Sequence, residues 1–418
     1  MARRIDDLRP GHVGATGSAW RHPLVRALAL VLLAGCCAAC GDDETQSSED
    51  PPAPPVPLDG LPLAHPAEPG PYAVGVTTLY TPDEDSLGRS LPVEVWYPAV
   101  PEAGAATATH EFIVGVLELA AIESPLGAVR DAPADLRGAP HPVVMFSHGY
   151  GGVRFQSLYL TEHLASHGFV VVAPDHVGNT FEEMIAAANA LPAGTIALLR
   201  PHDVSRAIDL IVEQSATWPG LLYLMADEDR IGVAGHSFGG FTALRLAGAS
   251  VEPAMVEQYC GDNPGESLCD GLGDLPVEPS ARDARIKASL PLAPGAAVIF
   301  DGTGLGDVAV PTMIQAGTAD QTCPFELEAR EPYEHLPAPA HLIGIDGGGH
   351  FTFTGLCPVL EELGFEDDFQ DGCSPSNIDP ANAHEAIVWY GTAFFQVELV
   401  GDHGFADCLG AVSYTHLT

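Results

Sequence analysis

A serine lies between closely spaced glycines in the segment 235–240, whose sequence is Gly-His-Ser-Phe-Gly-Gly. The apolar run before it, residues 230–234, predicts a buried strand, and residues 240–249 have helical spacing. A serine between a strand and a helix sits on a tight turn, with its hydroxyl above the sheet edge and near the positive end of the helix. This context predicts that Ser237 is a nucleophile. The alternative is a structural glycine turn with an idle serine.

A serine hydroxyl is a weak nucleophile near neutral pH and needs a neighbouring base. Of the 17 histidines, His350 is predicted to be that base, because it follows the predicted strand 341–345 and a glycine-rich turn. A residue there lies on a loop at the carboxyl edge of the last strand. His236 is expected to pack, since neighbours on a tight turn point apart, and His176 is expected to line the cleft.

The base in turn needs a carboxylate that fixes its tautomer and stabilises its cationic form. Asp320 is the first acidic residue beyond the predicted strand 311–315, and it lies between the predicted nucleophile and base along the chain. We therefore predict that Asp320 is the partner of His350. Asp301 and Asp307, which follow the preceding strand, remain alternatives.

Attack by a serine on an acyl carbon creates an oxyanion that needs hydrogen-bond donors already in place. One predicted donor is the backbone N–H of Phe238, directly after the nucleophile. The other is the N–H of Tyr150, in the segment 148–152 with sequence His-Gly-Tyr-Gly-Gly. A phosphate-binding loop is the alternative for this segment, but no Gly-Lys-Ser/Thr follows it.

The elements that must position these residues alternate between strands and helices. The predicted strands span residues 74–80, 91–97, 142–146, 169–173, 230–234, 286–292, 311–315 and 341–345. The predicted helices span residues 157–167, 182–191, 203–214, 240–249, 326–336 and 381–398. Such alternation predicts an α/β fold, with a mostly parallel, doubly wound sheet and helices on both faces.

Two stretches interrupt this alternation. Residues 102–140 are rich in alanine and ambiguous, and we interpret them as a surface insertion near the site. Residues 251–283 are rich in Gly, Pro and acidic residues, which predicts a loop-like insertion after the nucleophile helix. Whether this insertion covers the site as a partial lid stays open at this point.

The N-terminal segment 1–40 is predicted to be a lipoprotein signal peptide. A region with five arginines precedes the small apolar run 27–40, which is shorter than the roughly 20 residues that span a bilayer. Residues 33–36, Leu-Ala-Gly-Cys, resemble a bacterial lipobox, so Cys36 is the first candidate for acylation and Cys40 the second. An ordinary signal peptide is the alternative. Either way we expect an exported protein, on the cell envelope or secreted.

The remaining chain divides into three parts. Residues 41–71 are rich in Asp, Glu, Ser and Pro, which predicts a disordered tether. Residues 72–411 are predicted to form the catalytic domain. Residues 412–418 look foreign and resemble translated adapter sequence, so we interpret them as a non-native tail.

Charge and residue spacing limit the partners. The 56 acidic and 17 basic residues give a formal charge of −39, which repels nucleic acid and leaves the lipid anchor as the only expected membrane contact. No cysteine pair has the short double spacing of a zinc site, and no cofactor or metal is expected. We expect a monomer acting on a small-molecule or lipid ester.

Export favours disulfide bonds among the six cysteines beyond the lipobox. Six cysteines allow fifteen complete pairings, and the sequence alone does not choose between them. We expect Cys260–Cys269 within the insertion, Cys323–Cys357 and Cys373–Cys408.

Several motifs together resemble one known group. They are residues 91–98 (Leu-Pro-Val-Glu-Val-Trp-Tyr-Pro), 146–149 (Phe-Ser-His-Gly), 200–203 (Arg-Pro-His-Asp), 235–240 and 350–353 (His-Phe-Thr-Phe). Over residues 72–395 the chain resembles bacterial relatives of platelet-activating-factor acetylhydrolase and predicted dienelactone hydrolases. The resemblance implies an α/β-hydrolase fold, the chain order Ser, Asp, His, and hydrolysis of carboxylic esters.

Two departures refine this resemblance. Dienelactone hydrolases proper use a cysteine nucleophile, whereas Ser237 favours ester hydrolysis. Animal acetylhydrolases place the acid after the strand that follows the nucleophile, but residues 288–296 contain no carboxylate. Residues 316–324 and the glycine turn before His350 instead resemble bacterial cutinases and polyester hydrolases. Those enzymes carry a C-terminal disulfide, so a Cys323–Cys357 bridge would clamp the acid and base loops together.

The sequence thus predicts a secreted or lipid-anchored serine hydrolase that cleaves carboxylic esters through an acyl-enzyme. The expected substrates are short-chain acyl esters, including acetylated or oxidised phospholipids. A polyester or cutin-type hydrolase is the alternative within this class. A catalytically idle cell-surface binding protein on the same fold is the alternative from another class, and the complete set of Ser237, Asp320 and His350 argues against it.

Overall fold

The computed structural model describes residues 65–82, 85, 87–272, 276–300, 302–365, 369–409 and 412–415. The predicted signal peptide, with Cys36 and Cys40, and most of the predicted tether lie outside these residues. No helix in the described part of the chain is long and apolar enough to cross a membrane.

A mostly parallel sheet organises the described residues. The strands are β1 (Ala73–Tyr80), β2 (Pro92–Ala99), β3 (Thr109–Val114), β4 (Leu117–Glu123), β5 (Val129–Arg130), β6 (His141–Ser147), β7 (Val170–Pro174), β8 (Ala226–His236), β9 (Ile286–Leu292), β10 (Thr312–Gly317), β11 (Ala340–Ile345) and β12 (Val412–Thr415). Ten of them form one sheet in the order β12-β11-β10-β9-β8-β6-β7-β2-β1-β5. In the part of the sheet β12-β11-β10-β9-β8-β6-β7, every neighbouring pair of strands is parallel. Strand β2 is antiparallel to both of its neighbours, β1 and β7.

Helices cover both faces of this sheet. They are α1 (Leu158–Ser166), α2 (Phe181–Ala186), α3 (Ala193–Ala216), α4 (Phe238–Ala247), α5 (Pro253–Asp262), α6 (Gly302–Gly306), α7 (Glu331–His335), α8 (Cys357–Glu362), α9 (Gln370–Cys373) and α10 (Pro380–Phe395). Val144 and Phe146 of β6 pack with α1 and α10 on one face, while Val143 and Met145 pack with α3 and α4 on the other. Successive side chains of a strand point to opposite faces, so a strand buried on both sides is a continuous apolar run. The predicted fold class is confirmed.

The carboxyl ends of the central strands meet at one edge of the sheet. Ser147 ends β6, His236 ends β8, Gly317 ends β10 and Ile345 ends β11. Because these strands run parallel, the loops that follow them lie side by side, and this is where open α/β sheets bind their ligands.

The two predicted insertions have more regular structure than their composition indicates. Residues 102–140 contain the separate hairpin β3–β4 and the edge strand β5. Residues 251–283 were interpreted as a loop, which is wrong for α5. Val256 of α5 is buried, and packing of this kind overrides a composition rich in Gly and Pro. Arg245 of α4 holds the end of this insertion through the backbone carbonyls of Glu278 and Pro279.

The last described strand, β12, pairs parallel to β11 at the edge of the sheet. It consists of the first four residues of the segment 412–418. The foreign origin of that segment stays a prediction.

Candidate active site

Ser237 occupies the tight turn between β8 and α4. Its backbone has φ 57° and ψ −119°, a conformation that costs a non-glycine residue about 1–3 kcal/mol. The close contact of strand and helix needs glycine at two positions. A Cβ at Gly235 would collide with the Gly239 carbonyl, and a Cβ at Gly239 would collide with the Ser147 carbonyl. The turn therefore presents Ser237 at the carboxyl edge of the sheet.

A continuous hydrogen-bond relay joins Ser237, His350 and Asp320. Ser237 Oγ lies 2.9 Å from His350 Nε2, and His350 Nδ1 lies 2.9 Å from Asp320 Oδ2. An ionised carboxylate only accepts hydrogen bonds, so Nδ1 carries the proton and Nε2 accepts from the Ser237 hydroxyl. His350 is 2% and Asp320 6% exposed, so little water competes for these bonds. The structure brings together the three side chains that the sequence predicted to meet.

Asp320 is held by its own loop in the orientation that the relay needs. Its Oδ1 accepts the backbone N–H of Cys323 at 2.6 Å, which leaves Oδ2 for His350. Of the alternative acids, Asp307 accepts a serine hydroxyl elsewhere, at 2.6 Å. Asp301 lies outside the described residues.

Asp371 of α9 ties the acid loop (residues 318–323) to the base loop (residues 347–353). Its Oδ2 accepts two backbone N–H groups of the acid loop at 2.7 and 2.9 Å, and the Thr322 hydroxyl at 2.7 Å. Its Oδ1 accepts the backbone N–H of His350 at 3.2 Å. The two loops also bond each other directly, through the Ala319 N–H to the Gly348 carbonyl at 2.9 Å and the Gly347 N–H to the Thr318 hydroxyl at 3.0 Å. Asp371 adds a charged link between the acid loop and the backbone of His350. Sequence reasoning missed this residue, because nothing in its neighbourhood along the chain marks it.

The disulfide pattern differs from the expected one. The pair Cys260–Cys269 is confirmed. The expected pairs Cys323–Cys357 and Cys373–Cys408 are wrong, because the structure joins Cys357 to Cys373 and leaves Cys323 and Cys408 as free thiols. The observed bond closes a short loop between α8 and α9, next to Asp371. Cys357 pairs with Cys373 because the fold brings α8 and α9 close together.

Cys323 points into the site. Its thiol hydrogen-bonds the Ser237 hydroxyl. A Cβ at Gly295 would lie 3.0 Å from Cys323 Sγ and 3.7 Å from Ser237 Oγ, so the three groups crowd one spot. Burial raises the pKa of the Cys323 thiol, which therefore stays protonated at neutral pH. The link between the acid and base loops that was expected of Cys323 is made by Asp371 instead.

The two predicted oxyanion donors lie on either side of the nucleophile turn. Phe238 opens α4 directly after Ser237. Gly149 approaches so closely that a Cβ on it would lie 3.5 Å from Ser237 Cβ, which brings the following residue, Tyr150, to the same edge. Among the described residues, neither backbone N–H donates to another protein group. Their role as oxyanion donors stays a prediction.

A buried polar network lies behind residues 148–152. His176 belongs to it and is fully buried, so the expectation that it lines the cleft is wrong. Its Nε2 accepts from Ser147 Oγ at 2.8 Å, and its Nδ1 donates to Asp203 Oδ2 at 3.0 Å. Burial and the neighbouring Arg200 lower the pKa of His176 well below its usual value, so it is neutral. In the sequence, Arg200 and Asp203 belong to a motif of the family resemblance, but no function is predicted for them.

His236 connects the two sides of the site. Its Nδ1 accepts from Gln156 Nε2 at 3.1 Å, and its Nε2 donates to the carbonyl of His350 at 3.1 Å. The other end of the Gln156 amide accepts the N–H of Gly149 at 2.9 Å. Burial and the nearby His350 lower the pKa of His236 well below its usual value, so this ring is neutral and suits one donor and one acceptor. His236 packs, as expected, and it also links Gln156 to the backbone of His350.

The fold and this relay define the class. A serine on a strand–helix turn, hydrogen-bonded to a histidine and then to an aspartate at the carboxyl edge of a parallel sheet, is the arrangement of an α/β-hydrolase. The family model for chlorophyllase matches residues 132–352, more than half of the chain, so the protein belongs to that family. The family model for platelet-activating factor acetylhydrolase, isoform II, matches residues 63–185. The described residues contain no cluster of side chains suited to a metal ion.

Individual relatives point to the same esterase group. Cutinase est2 of Thermobifida alba is 26% identical over 211 residues, which cover 50% of this chain and 52% of that protein. Platelet-activating factor acetylhydrolase of Cavia porcellus is 25% identical over 234 residues, covering 42% of this chain and 50% of that protein. The chain thus spans about half the length of the curated relatives it matches.

A solved structure shares the fold. The structure described as ferulic acid esterase from Streptomyces cinnamoneus superposes with a TM-score of 0.51 at 22% identity. The match covers 79% of this chain and 91% of that one.

Proposed function

We propose that this protein is a serine hydrolase that cleaves carboxylic esters through an acyl-enzyme. The observation that carries the proposal is the unbroken relay from Ser237 Oγ through His350 to Asp320, with both hydrogen bonds at 2.9 Å. Membership of an esterase-containing superfamily supports it. The roles are Ser237 as nucleophile, His350 as general base and acid, and Asp320 as the orienting carboxylate.

The first half-reaction forms the acyl-enzyme. Ser237 Oγ attacks the acyl carbon while its proton passes to His350 Nε2, and Asp320 stabilises the resulting imidazolium through Nδ1–H. The carbonyl oxygen becomes an oxyanion that accepts hydrogen bonds from the N–H groups of Tyr150 and Phe238. His350 then returns the proton to the alkoxy oxygen, the C–O bond breaks and the alcohol leaves.

The second half-reaction regenerates the enzyme. A water molecule gives a proton to His350 Nε2 and attacks the acyl carbon, forming a second tetrahedral intermediate with the same two N–H donors. Its collapse breaks the bond to Ser237 Oγ, which recovers the proton from His350, and the carboxylic acid is released. Apart from the ester and the water molecule, both halves use only groups of the chain.

The proposed substrates are short-chain acyl esters, with acetylated or oxidised phospholipids as the lipid members of this class. The similarity to a protein named platelet-activating factor acetylhydrolase supports the lipid members. The second candidate is a polyester, and the similarity to proteins named cutinase supports it. Both candidates use the same relay and differ only in the alcohol and acyl groups.

Localisation is a separate proposal. We propose that the protein is exported and anchored by acylation of Cys36, with Cys40 as the alternative acceptor. Two disulfide bonds support export, because such bonds persist in oxidising compartments. Metabolic labelling with a fatty-acid analogue tests the anchor. We expect Cys36→Ser to lose the label and Cys40→Ser to retain it, and labelling of neither wild type nor variant would contradict anchoring.

The decisive experiment measures hydrolysis of p-nitrophenyl esters from acetyl to dodecanoyl. We expect turnover by the wild-type protein and a loss of about 10³-fold or more in Ser237→Ala, since the nucleophile itself is removed. A fluorophosphonate probe should label the wild type and not the variant. Equal turnover by both proteins would contradict the proposal. No turnover and no labelling of the wild type would favour the idle binding protein.

A further inference from the structure

Arg200 of α3 lies directly behind the oxyanion loop (residues 148–152) and is fully buried. Its guanidinium donates to the carbonyl of His148 at 2.5 Å, to the carbonyl of Gly149 at 2.9 Å and to Asn179 Oδ1 at 2.8 Å. The planar fork of arginine suits two neighbouring carbonyls at once. Arg200 therefore grips two successive peptide groups of the loop.

The second of these peptide groups contains the N–H that is proposed to stabilise the oxyanion. A trans peptide is planar, and its C=O and N–H point in opposite directions. The Gly149 carbonyl accepts from Arg200, and also from His148 Nδ1 at 2.7 Å and the Gly152 N–H at 3.1 Å, so the N–H of Tyr150 points away from these donors. The preceding peptide is also held at both ends, since the N–H of Gly149 donates to Gln156 Oε1. The backbone of the loop has little freedom to rotate.

Arg200 also touches the residue that carries the other proposed donor. Its guanidinium carbon lies 5.0 Å from the centre of the Phe238 ring, which is a cation–π contact. One side chain therefore contacts both segments whose N–H groups are proposed to bind the oxyanion.

The positive charge of Arg200 should also make the Tyr150 N–H a stronger hydrogen-bond donor. The oxygens that accept from Arg200 are all neutral, including the Ser147 hydroxyl at 3.4 Å. The nearby carboxylate of Asp203 is bonded to Arg89 and His176 instead. Burial lowers the pKa of Arg200 to about 9, so the guanidinium is still cationic at neutral pH. A cation at the carbonyl end of a peptide group increases the positive charge at its N–H end.

We propose that Arg200 is a positioning residue for the oxyanion site, which orients and polarises the Tyr150 N–H through the Gly149 carbonyl and holds the ring of Phe238. This inference rests on the proposed ester hydrolysis. It predicts that Arg200 acts on the transition state, where the oxyanion exists, and not on binding of the neutral ester.

The test compares Arg200→Lys with Arg245→Lys. Arg245 is a matched control because it is also buried, donates only to backbone carbonyls and lies in α4, away from the oxyanion loop. Lysine keeps the charge but cannot bond two carbonyls as a fork. For each protein, kcat and KM are measured with p-nitrophenyl butyrate, and the inhibition constant is measured with an alkylboronic acid that forms a tetrahedral adduct with the serine.

We expect kcat of Arg200→Lys to fall about 100-fold, the size of losing one oxyanion donor, with KM within about threefold. The boronic acid should bind more weakly by a similar factor. Arg245→Lys should lose comparable thermal stability while keeping kcat and boronate affinity within about threefold. Unchanged kcat in Arg200→Lys would overturn the role of Arg200. So would an equal loss of boronate affinity and rise in KM, because the variant would then weaken binding in general.

A milder variant keeps the test decisive if Arg200→Lys does not fold. Asn179→Ala removes one acceptor of the guanidinium and leaves Arg200 in place, so we expect a smaller fall in kcat, again without a rise in KM. Unchanged kcat in that variant would count against the proposal. Failure of the wild-type protein to hydrolyse any ester would instead remove the proposed function, and with it this inference.

Discussion

The two sides of the active site are held by opposite means. The oxyanion side, which carries the proposed oxyanion donors, consists of residues 147–152 together with the turn at Ser237. It rests on buried groups such as Arg200, His176 and Asp203, all with 0% exposure. The acid–base side, the acid and base loops, rests on the carboxylate of Asp371, which is partly exposed, and on the nearby disulfide Cys357–Cys373. The oxyanion side is therefore held by buried polar groups, and the acid–base side by a partly exposed carboxylate and a disulfide.

This difference has a physical reason. A backbone N–H can stabilise an oxyanion only if its direction is fixed before the charge appears, and buried polar networks fix direction well. The acid and base loops come from neighbouring strands, β10 and β11, which set their positions approximately. Two direct hydrogen bonds between the loops and one carboxylate that accepts N–H groups from both then join them. Substitutions should therefore be more harmful to folding on the oxyanion side than on the acid–base side.

The largest effect on the acid–base side is expected from Asp320→Asn. An asparagine amide donates where Asp320 Oδ2 accepts, so it favours the wrong tautomer of His350, and we expect kcat to fall about 10³–10⁴-fold with a similar KM. Asp307→Asn, at the alternative acid that bonds Ser250 away from both loops, is the control and should stay within about threefold. Steady-state kinetics measures both. More than a tenth of wild-type kcat in Asp320→Asn would show that another group supports His350.

A smaller effect is expected from Asp371→Ala. Loss of the tie between the loops should lower kcat about tenfold and cost about 1–3 kcal/mol of stability, because the freed N–H groups lose a charged acceptor. Asp371→Asn keeps one acceptor oxygen and should fall between this variant and wild type.

The control for Asp371 is Asp379→Ala. Asp379 caps α10 by accepting the N–H of Ala381 at 2.8 Å, and it lies outside both loops. Its loss should lower stability by about 1 kcal/mol without changing kcat. If Asp371→Ala retains full kcat, the strands and the direct hydrogen bonds between the loops are enough to hold the acid–base side, and the proposed role of Asp371 is contradicted.

The two disulfides should behave differently when replaced by serine pairs. Each closes a short loop, of 16 residues for Cys357–Cys373 and 9 for Cys260–Cys269, so each loss should cost about 3 kcal/mol. Only the Cys357/Cys373 pair adjoins Asp371, so only its replacement should also lower kcat, by about two- to fivefold. Thermal melts and kinetics on both variants measure this. Equal kcat in the two variants would mean that the Cys357–Cys373 bond does not support the link that Asp371 makes between the acid and base loops.

The smallest effect on activity is expected at Glu162 of α1, which belongs to neither side. Burial raises the pKa of Glu162 to about 7, so the folded protein holds this proton at pH values where the unfolded chain has lost it. Stability should therefore fall as pH rises from about 4.5 to about 7, by at most about 3 kcal/mol, and then level off.

Glu162→Gln removes this contribution to the pH slope. Relative to wild type, the variant should gain stability across the same pH range, while kcat stays unchanged. Urea denaturation at pH 5, 6, 7 and 8 measures the difference. Identical slopes in the two proteins would mean that Glu162 does not titrate in this range.

Local patterns along the chain were sufficient for the main elements. The strand around residues 142–146 was predicted because burial on both faces requires a continuous apolar run, and β6 spans His141–Ser147. The partners in the relay were also predictable, since each follows a predicted strand and carries a side chain of the right chemistry. Helix α5 was missed, because its stability depends on packing of Val256 and not on composition.

The sequence by itself determined which residues meet at the sheet edge, because the order of strands and the turn that follows each one are local properties of the chain. Only the tertiary structure decided how they are held. The contacts of Arg200 with the oxyanion loop, of Asp371 with both loops, and the pairing of Cys357 with Cys373 join segments that are distant or unmarked along the chain. Such contacts depend on the three-dimensional distance between groups, which no local pattern encodes.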